Sequence, residues 1–504
     1  MLTCKSLWLA FFCSIALLTA CAAPETPELA TPTRTPRPTS TPRVTTTATL
    51  ASATPVSAAA PSTVTTQSST IPPTISPTPA PSSTPTQFPT PSATPQALGG
   101  CAEIWRPGYY VLTNDIKIQD THDKRYDCMI VKSSDAVINC DGHSIEGLDY
   151  NGYGFRIHEY GFPFLQTPNN VEIRNCKVFK SWGGVIADSG TNLWIHDNDF
   201  SDNRDDTDKR RFGIFLGLTE GGGIRLDNVQ GARIERNIAN NAAIGIDVRN
   251  SSSIVVHNNT AANNSAWGVN LLNTQKSEVS GNTLRDNVRY CTWGSGVVDR
   301  GCDAGGIILQ DGASQNVVSD NAISGQNGGG IFIKAHGTRC GDDNLIQNNK
   351  ISDALYNGIE LGFCKGNKII GNQISGSFDG VWFSFTTNTE VRNNTISKMR
   401  NHGINSFNSR GSIVADNQVI NAREGILFSW GTYDPKELFF LTPSPDQYAS
   451  RDNTISNNAL KDNAVAGIHL MSSTNNNVAN NSFTNNAKNI VVEGKNDGNV
   501  VTGQ

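Results

Sequence analysis

The chain has 504 residues, 23 prolines and a formal net charge of −5. Seventeen of the prolines lie between Pro24 and Pro95, so the average composition describes neither the first hundred residues nor the rest. Residues 101–504 carry a net charge of −7. A nucleic-acid-binding protein would normally be basic, so we expect no nucleic-acid partner.

The N-terminus has the features of an export signal. Residues 1–20 contain one positive charge and a twelve-residue apolar run, which is too short for a comfortable membrane-spanning helix. The run ends in Leu-Thr-Ala-Cys at residues 18–21, which resembles the lipobox of bacterial lipoproteins, whose cysteine is acylated. The resemblance implies lipidation at Cys21 and a lipid-anchored, extracytoplasmic location in the cell envelope. The alternative is an ordinary cleaved signal with an incidental cysteine.

Residues 21–99 form a segment rich in Thr, Pro and Ser with few large apolar side chains. Such a composition cannot bury enough surface to offset its ordering entropy, so it predicts a disordered linker. At about 3.1 Å per residue in extended form, the linker could reach on the order of 200 Å. The sequence therefore predicts a spacer between Cys21 and a folded domain at residues 100–504.

The folded part repeats one short sequence motif, in which a glycine precedes an aliphatic anchor, an outward residue and another apolar residue. Residues 245–248 (Gly-Ile-Asp-Val) and 358–361 (Gly-Ile-Glu-Leu) are examples. Most anchors are 22 or 23 residues apart. Thirteen residues after most anchors stands an asparagine, at Asn198, Asn237, Asn259, Asn282, Asn372, Asn394, Asn417 and Asn481. Alternation with period two between Gly and Asn corners indicates short strands rather than helices.

A repeat of 22 residues with three short strands is one coil of a parallel β-helix. The motifs resemble the right-handed parallel β-helix proteins of the pectin-lyase-like superfamily, with their carbohydrate-binding and sugar-hydrolysis repeats, over essentially all of residues 101–504. The resemblance implies an all-β, single-stranded right-handed solenoid, and a polysaccharide groove on the sheet built from the anchor strands. Each corner asparagine is expected to adopt the left-handed conformation and to hydrogen-bond its equivalents on neighbouring coils, about 4.8 Å away.

Four insertions interrupt the repeat around the anchor strands. Extra residues follow the anchors Ile331 and Ile426 and precede the anchors Ile224 and Ile307. They predict loops along both sides of one face, as a groove would need. Sequence drift is the alternative, because surface loops tolerate insertion.

Eight cysteines lie in the folded part, and the absence of a Cys-x-x-Cys pair argues against a structural zinc site of the usual spacing. In an exported chain they favour disulfides. The predicted bridges join Cys291 to Cys302, Cys340 to Cys364 and Cys101 to Cys128. For Cys140 and Cys176, the sequence is equally compatible with a stack of reduced thiols and with a disulfide.

If the anchors point inward, the residues one and three places later face the groove. The residues expected to bind the polysaccharide are Arg225, Arg249, Asn270, Gln310, Phe332 and Trp382. Asp227 and Asp247 stand beside the two arginines and could hold Ca²⁺ as a cofactor through hard oxygen ligands. The alternative is a solvated ladder that pairs Arg225 with Asp247 and Asp227 with Arg249, worth about 0–1 kcal/mol per pair.

A candidate catalytic group lies further along the same face, where Lys334, His336 and Glu360 come close in projection. Cleavage of a uronate polymer by β-elimination needs a base, a group that relieves the carboxylate charge, and an acid. Lys334 or His336 would be the base, and Glu360 or His336 the acid. Glycoside hydrolysis needs two carboxylates across one bond, and Asp247 lies several coils from Glu360. Within the enzyme class, a lyase or C5-epimerase is therefore favoured.

The resulting hypothesis is a lipid-anchored, outward-facing β-helix that binds a polysaccharide. Processing of that polysaccharide, by a lyase or C5-epimerase reaction, is the catalytic version of the hypothesis. The motifs of related epimerases and polygalacturonases are not matched, so a binding surface without chemistry is the first alternative. A non-catalytic adhesin or scaffold is the second. A copper-maturation protein of this fold is the third, although copper would favour clustered soft ligands and the eight histidines are scattered.

Overall fold

A computed structural model describes residues 94–118, 127–148, 150–161, 165–203, 222–287, 305–334, 340–431 and 449–503. By its internal contacts the chain divides into Met1–Ala80, which lies outside these ranges, and Pro81–Gln504. The described ranges contain strands and turns. None of their segments is a helix long and apolar enough to span a membrane.

The strands form three parallel sheets, and each strand pairs with its equivalent on the next coil. The anchor residues stay in register, so that Ile246 lies opposite Ile224 on one side and Val269 on the other. The chain passes from the anchor sheet to the second sheet, then to the third, and back to the anchor sheet one coil further on. This winding confirms the predicted parallel β-helix.

The anchor sheet has fifteen strands and therefore defines fifteen coils. Its strands are Ala102–Ile104, Met129–Val131, Tyr153–Ile157, Gly183–Ala187, Gly222–Asp227, Ile244–Arg249, Val269–Leu272, Gly305–Gln310, Gly329–Lys334, Ile359–Gly362, Val381–Ser384, His402–Phe407, Glu424–Ser429, Ala466–Met471 and Ile490–Glu493.

The second sheet has sixteen strands and begins before the predicted domain boundary at Gly100. Its strands are Gln96–Leu98, Gly108–Leu112, Ala136–Asn139, Asn169–Arg174, Gly190–His196, Val229–Glu235, Ser252–His257, Glu278–Ser280, Val317–Ser319, Leu345–Gln347, Lys368–Ile370, Glu390–Arg392, Ile413–Ala415, Thr454–Ser456, Asn477–Ala479 and Val500–Thr502.

The third sheet is divided into groups of three and nine strands. The first group is Ile116–Lys117, Ser144–Glu146 and Lys177–Phe179. The second is Thr260–Ala262, Thr283–Arg285, Ala322–Ser324, Lys350–Ser352, Gln373–Ser375, Thr395–Ser397, Gln418–Ile420, Ala459–Lys461 and Ser482–Thr484.

The core is a continuous stack of aliphatic side chains inside the coils. The anchors Ile246 and Ile359, with Val256 and Val279 of the second sheet, are completely buried. Each such side chain contributes about 1.5–3 kcal/mol by leaving water. The core thus grows with every coil, which is why some 400 residues need no division into separate globular cores.

The corner between the second and third sheets holds a ladder of buried asparagines. Its members are Asn198, Asn237, Asn259, Asn282, Asn321, Asn349, Asn372, Asn394, Asn417, Asn458 and Asn481. From one coil to the next, each Nδ2 donates to the following Oδ1 over 2.9–3.0 Å. The backbone N–H of each donor residue is bonded to the same oxygen, as Asn372 N–H is to Asn394 at 2.8 Å. The predicted ladder is therefore confirmed.

The predicted conformation of these asparagines was wrong. The left-handed residue is the one before each ladder asparagine, such as Asn258 (φ 55°), Gly371 (φ 67°) or Asn393 (φ 54°). One left-handed residue is enough to turn the corner. The ladder residue that follows it can then direct both its backbone N–H and its side-chain amide along the solenoid.

Among the residues that the structure describes, three disulfides link residues of the first coils and of one central turn. The structure joins Cys101 to Cys128 and Cys340 to Cys364, as the sequence predicts. It also joins Cys140 to Cys176, whose Cα atoms are 4.8 Å apart, and so decides between thiols and a bridge at that position. The predicted bridge from Cys291 to Cys302 lies outside the described residues.

The ladder predicts a large stability difference between two adjacent polar residues. Asn372→Ala removes the oxygen that accepts from Asn349, and should lower the free energy of unfolding by about 2–4 kcal/mol because buried donors lose their partner. Gln373→Ala, at an exposed position one residue later, should change it by less than about 0.5 kcal/mol. Thermal unfolding of both variants measures the difference, and equal losses would contradict a stabilising ladder.

Candidate functional site

The candidate site is the outward side of the anchor sheet, which we call the outer face. Strand register stacks the residues that immediately follow the anchors into one row along this face. The row contains Arg225, Asp247, Asn270, Ile308, Phe332, Glu360, Trp382, Asn405, Leu427 and His469. Glu360, from the predicted catalytic group, therefore lies beside Phe332 and Trp382, two of the residues expected to bind the polysaccharide.

The arginines and aspartates of the first coils pair differently from the predicted cross-strand ladder. The register does place Arg225 opposite Asp247 and Asp227 opposite Arg249. However, Arg249 binds Asp247 of its own strand at 2.8 Å, and Arg225 approaches Asp227 of its own strand at 3.5 Å. Residues two apart in a strand share a face, and the long guanidinium side chain can span that distance.

A buried hydrogen-bond chain continues from this pair. Gln310 Nε2 donates to Asn270 Oδ1 at 2.7 Å, and Asn270 Nδ2 donates to Asp247 Oδ1 at 2.7 Å. Asn270 and Gln310 are completely buried, although the sequence predicts that they face a ligand. These amides therefore extend the network around Asp247 and Arg249.

The two aspartates proposed for Ca²⁺ already bind protein groups. Asp227 Oδ1 accepts from Asn250 Nδ2 at 2.9 Å, and Asp247 binds Arg249 and Asn270. Within the described ranges, no three or more His, Cys, Asp or Glu side chains are arranged to hold a metal ion. The Ca²⁺ role of Asp227 and Asp247 stays a prediction.

Of the predicted catalytic group, only Glu360 has a described side chain. It is half-buried, and its Oε2 accepts a hydrogen bond from Asn357 Nδ2 at 2.7 Å. Lys334 ends its strand with its backbone in register with Gln310. The side chain of Lys334 and the whole of His336 lie outside the described part of the chain. The catalytic roles of all three stay predictions.

Trp382 is half-buried on the eleventh of the fifteen anchor strands, with Glu360 on the preceding coil and Asn405 on the following one. Asn405 Nδ2 donates to Asp379 Oδ2 at 2.9 Å, which fixes the amide beside the indole. An aromatic surface is thus flanked by a carboxylate and an oriented amide.

The sequence reasoning missed a chain of acids and imidazoles next to Trp382. His402 Nδ1 lies 3.1 Å from Asp379 Oδ1, and His402 Nε2 lies 3.3 Å from Glu424 Oε2. The other oxygen of Glu424 is 3.3 Å from His469 Nδ1. All four side chains are more than nine-tenths buried, and we call them the acid–imidazole chain.

The charges in the acid–imidazole chain stabilise one another. Burial disfavours the charged form of His402, but the hydrogen bonds that its ring N–H groups donate to Asp379 and Glu424 outweigh this effect and raise the pKa of His402 to about 9. The hydrogen bond with His402 lowers the pKa of Glu424 to about 2, against the effect of burial. At neutral pH an imidazolium therefore lies between two carboxylates.

The repeat pattern did not reveal the acid–imidazole chain, because most of its members occupy a different position in the repeat. Asp379, His402 and Glu424 each lie two residues before an anchor, whereas the predicted contacts were sought one and three residues after it. The available signal was a titratable residue at the same place in three consecutive coils. Earlier coils have Gly305 and Gly329 there.

The raised pKa of His402 predicts a pH-dependent stability. An unfolded histidine titrates near 6.5, so the stabilisation is complete below that pH and is lost as pH rises to about 9. The loss should be roughly 3 kcal/mol. Thermal unfolding between pH 6 and 10 measures it. His402→Gln should abolish this part of the slope, and His158→Gln, at a more exposed histidine of the outer face, should retain it. Parallel pH profiles for wild type and His402→Gln would contradict the assignment.

Comparison with known proteins identifies the coil architecture. A family model described as "Right handed beta helix region" matches residues 104–284, 219–340 and 338–504. Together these ranges cover well over half of the chain. No curated protein sequence matches significantly.

Several solved structures are similar at low sequence identity. The A-module of a mannuronan C-5 epimerase of Azotobacter vinelandii is 12% identical over 79% of this chain and 91% of its own, with a TM-score of 0.45. A periplasmic alginate epimerase is 10% identical over 78% and 76%, with a TM-score of 0.42. The Dettilon tailspike protein is 15% identical over 70% and 60%, with a TM-score of 0.37.

Proposed function

The chain belongs to the right-handed β-helix family, and on that premise we propose that it binds a polysaccharide along the outer face of the anchor sheet. The observation that carries the proposal is the row Glu360, Trp382 and Asn405 on three consecutive coils. The half-buried indole is held between groups that can hydrogen-bond to a ligand.

This row fits the chemistry of a sugar ring. A pyranose has an apolar face and a rim of hydroxyl groups, so it can stack on an indole while its hydroxyls bond to a neighbouring carboxylate and amide. Successive coils lie about 4.8 Å apart, and the row presents side chains at that interval. A repetitive polymer can therefore contact several coils, whereas a single small molecule would contact one or two.

A scaffold without a ligand explains this row less well. A structural surface has no need for an aromatic side chain flanked by an oriented amide within a sheet. Copper delivery is also disfavoured, because His402 and His469 are engaged by carboxylates, and the described ranges hold no group of three or more His, Cys, Asp or Glu side chains arranged to bind a metal ion. Polysaccharide binding is the function that the described side chains support best.

The binding proposal predicts a specific effect of Trp382. Trp382→Ala should weaken glycan binding about tenfold or more, or roughly 1.4 kcal/mol, because stacking area is lost. Phe179→Ala removes another half-buried aromatic side chain, on the third sheet, and should leave binding unchanged. Retention of the full chain on immobilised neutral and acidic glycans measures the effect. Equal retention of wild type and Trp382→Ala would contradict the site.

The same incubations test for chemistry. Elimination creates unsaturated sugar ends, so absorbance would rise with time if the predicted group of Lys334, His336 and Glu360 were catalytic. In that case Lys334→Ala and His336→Ala should each abolish the increase while binding persists. Retention without an absorbance change contradicts elimination by this group.

We also propose that Cys21 is acylated and anchors the chain to a membrane of the cell envelope. The Leu-Thr-Ala-Cys sequence and the Thr/Pro-rich residues that follow it support this placement. Cys21→Ser should move the protein from the membrane fraction to the soluble fraction of an expressing bacterium and abolish incorporation of a labelled fatty acid. Cys13→Ser, within the apolar run, is the matched control and should change neither result. Membrane retention and labelling of Cys21→Ser would contradict the anchor.

A further inference from the structure

The outer face has more acidic than basic side chains. Three positions of each described coil are assigned to this face: one and three residues after the anchor, and two residues before it, where Asp379 bonds to Asn405 and Glu424 to His469 of the outward row. The acids described at these positions are Glu103, Asp127, Asp188, Asp227, Asp247, Glu360, Asp379, Glu424 and Glu493. The described Lys and Arg side chains are Lys132, Arg156, Arg225, Arg249 and Lys488. Counting His402 and, from its position in the sequence, Lys334 as cations still leaves nine carboxylates against seven cations.

The cations of this face are mostly committed to these carboxylates. Lys132 Nζ lies 2.9 Å from Glu103, and Arg156 lies between Asp127 at 3.0 Å and Asp188 at 2.7 Å. The same arrangement recurs at Arg249 with Asp247, and at His402 between Asp379 and Glu424. A carboxylate of a ligand would have to displace an internal carboxylate at each of these places.

The inserted segments do not add a surplus of positive charge to the chain. Residues 204–221, 288–304, 335–339 and 432–448 lie outside the described ranges. Their sequences together contain eight Lys and Arg residues and nine Asp and Glu residues. Wherever these segments lie, their net charge does not reverse the acidic balance of the outer face.

Resting on the proposed function, we infer that the outer face binds an uncharged polysaccharide and discriminates against polyanionic ones. Hydroxyl groups can accept from the arginines and donate to the carboxylates without breaking the existing ion pairs. Each added negative charge is repelled by the surplus carboxylates, and a polymer repeats that repulsion coil after coil. This charge balance disfavours the uronate polymer that elimination at Glu360 would require.

Aromatic surface is available to an uncharged chain at two places on the face. Trp382 is half-buried on the eleventh anchor strand, and Trp105 near the first coil is 56% exposed. The Nζ of Lys132 lies 4.4 Å from the centre of the Trp105 ring, which holds the indole in place. Stacking on these rings needs no charge on the sugar.

Matched pairs of glycans test the inference, because they differ in charge and share a backbone. The full chain is passed over fully methyl-esterified homogalacturonan and its saponified form, and over hydroxyethyl cellulose and carboxymethyl cellulose, at about 20 mM and 500 mM salt. At low salt, the uncharged member of any pair that binds should be retained at least tenfold more tightly. The difference should shrink at high salt, where charges are screened.

A charge reversal on the outer face identifies the cause of the discrimination. Glu493→Lys changes an acid whose side chain is 60% exposed at the last coil, and should raise affinity for the anionic glycans several-fold. Glu278→Lys makes the same change at an exposed position of the second sheet and should leave the preference unaltered.

The outcomes separate this inference from the proposed function. Binding that depends on Trp382 but is equal or tighter for the anionic member overturns the inference and leaves polysaccharide binding standing. An equal effect of Glu493→Lys and Glu278→Lys also overturns it, since the discrimination would then follow net charge alone. Failure to retain any glycan contradicts the proposed function, and the inference falls with it.

Discussion

The hydrogen bond from one ladder asparagine to the next is the interaction on which the rest of this structure depends. A parallel β-helix has no helix and no hairpin to fix the alignment of successive turns, and sliding a strand by one residue would exchange its inner and outer side chains. Each ladder oxygen accepts both the side-chain and the backbone N–H of the preceding coil, as Asn394 does from Asn372. This pair of hydrogen bonds is buried and directional, so it keeps every coil in the same register.

Because successive coils share one register, residues at the same position of the repeat form rows. Because the coils are aligned, a residue type that recurs at one position of the repeat forms a line along the solenoid. The outer face depends on this effect: Asp379, His402 and Glu424 are far apart in the sequence, but their side chains bond in succession. Burying an isolated imidazolium would be costly, whereas one placed between two carboxylates is stable. The row therefore permits a buried charge that a single coil could not hold.

The sequence was sufficient to predict the features that repeat. Period, strand direction, the asparagine ladder and the identity of the outward row all follow from spacing, since an error at one coil is corrected by the others. The Trp382 and Glu360 neighbourhood was predicted in this way. The features that were missed depend on side-chain reach. The bond between Arg249 and its own-strand partner Asp247, and the burial of Gln310, follow from torsion angles and neighbours that spacing does not encode.

The stacking of equivalent repeat positions along the outer face has a consequence for how such a surface can change. Each coil contacts only the coils beside it, so a turn of about 22 residues can be gained or lost without rebuilding the others. Gain or loss of one coil would change the length of the outer face by about 4.8 Å. It would also add or remove the charge of the side chains that this coil places on the face. For the proposed polysaccharide, the number of sugar units in contact with the face would then change in steps of one coil, and related proteins would differ in binding length by discrete increments.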